Sequence, residues 1–158
     1  MSKEYVTALR DSLIKKISVL EEIEHLDKLQ DEILSKEPFD YEAFDRLFTD
    51  KDVCMEKVEK LDEGFELVYK RVESELKENK GAYSEIIKEM QGLISRITEL
   101  GTSITAAEER NRNELSDTLI RERKGMAEGK RSINVAMNYY KNMNGLNTPE
   151  SRYMDKKK

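Results

Sequence analysis

The chain has 158 residues, 39 % of them charged and 37 % hydrophobic, with two prolines, seven glycines, no tryptophan and a net charge of −5. That is the composition of long amphipathic helices or coiled coil, with too few large apolar residues for a thick core, so a thin seam between helices is expected. Cys54 is the only cysteine, which excludes an intramolecular disulfide, and no apolar run exceeds three residues, which argues against a secretory signal or membrane span and for the cytoplasm.

Val6, Leu9, Leu13, Ile17, Leu20, Ile23, Leu26, Leu29 and Ile33 recur in steps of three and four. This is the stripe of an amphipathic helix, and Pro38 ends it by biasing Glu37 away from helical geometry. Asp40 then has the character of an N-cap, with Phe39 and Phe44 at the two positions of a hydrophobic staple. The second seam runs Phe44, Leu47, Lys51, Cys54, Val58, Leu61, Phe65, Val68, Val72 and Leu76, interrupted only by Lys51. Its regularity predicts a partner helix packed at a shallow angle over many turns. Asn79-Lys80-Gly81 supplies a stop, through residues that tolerate left-handed geometry.

A third helix is predicted from near Ala82 to about Leu119, with Met90, Leu93, Ile97, Leu100, Ile104, Ala107, Asn111 and Leu115 inward. Gly92 and Gly101 weaken it and permit a close neighbouring backbone. Three helices of comparable length joined by short turns predict an all-α fold, an elongated antiparallel bundle. The segment beyond Ile120 has no partner of its own level. It is expected to form a C-terminal helical overhang, with a mobile tail over residues 150–158.

Charge changes at the same place. Residues 1–120 carry 18 Lys/Arg against 29 Asp/Glu, a net of −11, and residues 121–158 carry 10 against 4, a net of +6. The expected division is therefore an acidic three-helix bundle, 1–120, and a basic partner-binding helix with a flexible tail, 121–158. Four of the seven methionines and three of the seven tyrosines lie beyond residue 120. Methionine repacks around a partner and tyrosine gives contact area at low entropy cost. Met126, Ile133, Met137 and Tyr140 make one helical stripe there. With Tyr139 and Met143 they are the candidate partner-binding residues, although the stripe could equally continue the bundle seam.

No catalytic site, metal or cofactor is expected. Glu22-x-x-His25 has the spacing of half a di-iron site, but His25 is the only histidine, so a solvated helix face is the simpler reading. Cys54 reads as a small buried hydrophobe with no histidine to activate it. Gly125-x-x-x-Gly129-Lys130-Arg131-Ser132 echoes a phosphate loop at the wrong spacing and with no preceding strand. The basic residues Arg121, Arg123, Lys124, Lys130 and Arg131 could meet phosphate or anionic lipid, but the acidic body opposes this. Neither a nucleic acid, a small-molecule substrate nor stable membrane insertion is expected.

Three short segments carry a resemblance. Asp40-Tyr41-Glu42 leads into Phe44, Leu47 and Lys51; Glu108-Glu109-Arg110-Asn111-Arg112 sits in the third helix; Tyr153-Met154-Asp155-Lys156-Lys157 lies near the end. Together they resemble the FlgN-like chaperones of bacterial flagellar export, with two departures: Met154 intervenes between Tyr153 and Asp155, and no glycine follows the lysines. The resemblance implies a cytoplasmic chaperone that binds hook–filament junction proteins before secretion and delivers them to the export gate. It also implies that the C-terminal helical segment holds the substrate. The competing readings are a coiled-coil adaptor that pairs its Met/Tyr face with its own copy, and an anion-binding basic tail.

Overall fold

The computed structural model describes residues 2–121 and 134–141. Among them every regular element is helical: α1 (Ser2–Leu34), α2 (Tyr41–Glu78), α3 (Ser84–Arg121) and a short α4 (residues 134–141). The three long helices have 33, 38 and 38 residues, which at 1.5 Å per residue makes each about 50–57 Å long. The bundle is as elongated as the periodicity predicts.

Packing is not shared equally. α1 lies against both α2 and α3, while α2 and α3 make little backbone approach to one another. Side-chain contacts give the directions. Tyr5 meets Arg71, and Ser12 donates to the Leu61 carbonyl, so α1 and α2 are antiparallel. Arg10 pairs with Glu89, Ser103 donates to Glu24 and Asn111 to the Asp27 carbonyl, so α1 and α3 run parallel.

The turns follow from local chemistry. Ser35 returns both its N–H and its hydroxyl to the Asp31 carbonyl, at 3.1 and 2.9 Å, which closes α1 before Pro38 is reached. Asp40 caps α2, its carboxylate accepting from the Ala43 N–H at 3.0 Å, and the Phe39 and Phe44 rings sit 5.3 Å apart as the staple requires. The end of α2 falls where expected but by another route. Asn79 has φ −122° and donates its N–H to the Glu75 carbonyl at 2.9 Å, and no described residue has a positive φ. The chain turns on bonds from Ala82 and Tyr83 to the Asn79 carbonyl, not on a left-handed glycine.

The seam is the predicted one at most positions, including Phe44, Val58, Phe65 and Val72 on α2 and Met90, Ile97 and Ile104 on α3, and shifts to a neighbouring column at a few. On α2, Phe48 and Tyr69 are fully inside, and Leu47, Leu61 and Val68 lie at its edge. On α3, Ile94 and Glu108 face inward where Leu93 and Ala107 were expected. A strict three–four alternation drifts around a straight helix with 3.6 residues per turn, so neighbouring columns exchange places along these lengths. Gly92 serves no close approach: a β-carbon built there meets nothing within 4 Å, and the same holds at Gly64.

α4 does not project free of the bundle. Ala136 and Tyr139 are buried on it, and Val135 and Tyr140 are packed against the core. Met126, Ile133, Met143, the glycines at 125 and 129, most of the basic cluster and residues 150–158 lie outside the described residues.

Two measurements check this arrangement. Phe65 is buried beside the parallel ring of Tyr69, and Phe65→Ala is expected to lower unfolding free energy by about 3–5 kcal/mol in a urea titration. Gly64→Ala and Gly92→Ala are each expected to raise it by about 1 kcal/mol, because both glycines sit in helix interiors with open space around them.

Candidate functional site

Each long helix carries polar residues on its buried face at one common level. α1 contributes Asp27 and Gln30, α2 contributes Lys51, and α3 contributes Glu108 and Asn111, all of them buried. Lys51 is their centre. Its ammonium, 0 % exposed, donates to Asp27 Oδ1 at 2.9 Å, Gln30 Oε1 at 2.5 Å and Glu108 Oε1 at 2.6 Å. An ammonium has three protons, and all are used. The outer groups are tied in turn: Gln30 donates to the Phe44 carbonyl at 3.5 Å and Asn111 to the Asp27 carbonyl at 3.0 Å.

Charge does not balance if every group is ionised, since two carboxylates face one cation. Burial pushes the Asp27 carboxyl up to about 8; Lys51 opposes the shift, and the neighbouring Glu108 carboxylate adds to it. One proton held on the carboxyl pair makes the cluster neutral, which is the only inexpensive state for it in a dry interior.

α4 closes the cluster from outside. The Tyr139 ring lies 4.2 Å from Lys51 Nζ, and the Phe48 ring, beside it, lies 4.6 Å away. Tyr139 and Phe48 are 5.5 Å apart, Tyr140 is 5.9 Å from Phe48, and the Arg112 guanidinium lies 5.2 Å from the Tyr140 ring. Cation–π attraction thus adds to the three hydrogen bonds of Lys51. Burial also raises both phenols, Tyr139 and Tyr140, well above the ordinary tyrosine value.

The expected partner-binding residues are therefore divided. Met137 is 62 % exposed on the outer side of α4, Tyr140 is half-buried, and Tyr139 is 0 % exposed on the inner side. His25 and Glu22 are exposed, and Cys54 is buried, with its thiol pushed up chiefly by burial. No group of three or more His, Cys, Asp or Glu that could hold a metal is found among the described residues, and no described helix is long and apolar enough to cross a membrane.

Asp27, Gln30 and the inward aim of Glu108 were missed from the sequence. A signal was present: Leu20, Ile23, Asp27, Gln30 and Leu34 keep the three–four step with two polar members. The apolar neighbours Leu26 and Leu29 offer a plausible alternative column and hide it.

The proton on Asp27 has a measurable consequence. In the folded chain the carboxyl keeps it to about pH 8, and in the unfolded chain gives it up near 3.8. The folded state then binds the extra proton across that window, so this contribution to stability is complete at acid pH and is lost as pH rises towards 8. Asp27→Asn is expected to flatten the fall in urea midpoint between pH 5 and pH 8 relative to wild type. Lys51→Ala, which leaves two carboxyls facing each other in the interior, is expected to cost about 3–5 kcal/mol.

Comparison with known proteins bears on what this arrangement serves. A family model described as FlgN protein matches residues 1–147, a span that takes in all four helices. No curated protein and no solved structure matches the chain. Within the matched span, Lys51 and Glu108–Arg112, read apart in the sequence, converge on one buried cluster and its covering helix. On a match of that extent, the chain belongs to the FlgN family of flagellar chaperones.

Proposed function

We propose that the chain is a cytoplasmic chaperone of flagellar export that binds hook–filament junction proteins before secretion and presents them to the export gate. The family match over residues 1–147 carries this reading. In it the acidic body, 1–120, is the scaffold, and residues 121–158, with Met126, Ile133, Met137, Tyr139, Tyr140 and Met143, form the partner-binding part. Support comes from the exposure of Met137: a flexible apolar side chain on an outer helix face is suited to take up an amphipathic segment of a partner. A disordered terminus of a secreted protein would order as it binds.

Met137→Glu tests this without disturbing the bundle, because the side chain is already largely exposed. Titrated with a purified hook–filament junction protein, the variant is expected to bind about thirtyfold to a thousandfold more weakly than wild type, the range of an interface hot spot. Neutralising Lys130 and Arg131 is expected to do less and mainly to slow association. Normal binding by Met137→Glu, with binding crippled by the Lys130 and Arg131 changes, would instead mark an anionic partner.

A further inference from the structure

α4 spans residues 134–141, and one side of it is buried against the body. Ala136 and Tyr139 are buried, while Met137 and Lys141 face outward. A helix this short has no stability of its own in water, so its order depends on contact with the body. The contact is a set of rings: Tyr139 on Lys51 and Phe48, Tyr140 on Phe48 and Arg112. It also has a flaw. Among the described residues the buried Tyr140 hydroxyl has no hydrogen-bond partner, a cost that water would remove on release.

We propose that α4 is a displaceable strap: in the free chain it holds Tyr139 and Tyr140 against the body, and a partner gains these residues only when the strap lifts. What the two tyrosines are for rests on the proposed function; the strap itself rests on the geometry. Lifting it bares the cluster beneath. The charged and titratable groups facing the tyrosines come from every element: Asp27 of α1, Lys51 of α2, and Glu108 and Arg112 of α3. Once wetted, the Asp27 carboxyl returns from about 8 towards 3.8, so lifting releases a proton. Rising pH across that window therefore favours the open strap.

Amide hydrogen exchange on the full chain, corrected for intrinsic rates, reads the strap directly. Arg112→Ala is the variant of choice, because Arg112 is exposed on α3 and leaves α4 itself unchanged. The amides of 134–141 are expected to open more often than those around Phe48. Arg112→Ala should raise that opening about two- to fivefold, the worth of one exposed cation–π contact, and a change from pH 6 to pH 8 should raise it further. Apparent affinity scales with the open fraction. The same variant is therefore expected to bind a purified hook–filament junction protein more tightly by the same factor. If 134–141 exchanges only together with the α2 amides, in wild type and variant alike, α4 is part of the bundle and the strap is overturned. It is equally overturned if the junction protein binds wild type and binds the more often open variant no tighter. If the junction protein binds neither form, the proposed function fails, and the exchange rates still decide the strap.

Discussion

One ammonium group organises this protein. Lys51 Nζ has acceptors from α1 and α3 within hydrogen-bond distance and an aromatic ring from α4 above it. Taking a cation and two carboxyls out of water is expensive, and the return comes only in this alignment. Sliding any long helix by one turn, about 5.4 Å, would leave a buried charge without its partner. The apolar seam alone does not exclude such a slide, because leucines and isoleucines one turn apart are nearly interchangeable. The cluster therefore specifies register more than it adds stability, much as a single polar residue does inside a coiled coil.

The long-range order of the helices was legible from periodicity, and their ends from local rules. Phe39, Asp40 and Phe44 were read correctly because capping and stapling involve residues within a few positions of one another. The end of α2 was located but its geometry misjudged: Asn79 and Gly81 permit a left-handed turn, and permission does not require its use. The cluster was not legible. Lys51 stood out as an interruption, but Asp27, Gln30 and Glu108 are each ordinary in a chain that is 39 % charged, and only their meeting in space gives them meaning. Tyr139 shows the same limit from another side. A sequence can display an amphipathic face; it does not say whether the chain's own body already covers that face.

Charge distribution acquires a second meaning beside this geometry. The body carries a net −11, yet its most buried level holds a cation, and the +6 segment returns an uncharged phenol ring to that cation. Arg112, which belongs to the body, meets a tyrosine of α4. Attraction between the acidic and basic parts is screened over about 8 Å at physiological salt. The docked face is instead held by short-range ring contacts, which salt affects little.

That the α3 backbone approaches α1 far more than its sequence neighbour α2 bears on the order of assembly. A chain emerging from the ribosome completes α1 and α2 first, and these two form an antiparallel hairpin of local contacts, which closes quickly. In that hairpin Lys51 meets Asp27 and Gln30, one cation with one carboxyl, and the charges balance. α3 arrives later and brings the Glu108 carboxyl into the same interior. With Glu108 beside it the raised Asp27 carboxyl holds a proton, so the docking of α3 takes one up and is favoured as pH falls.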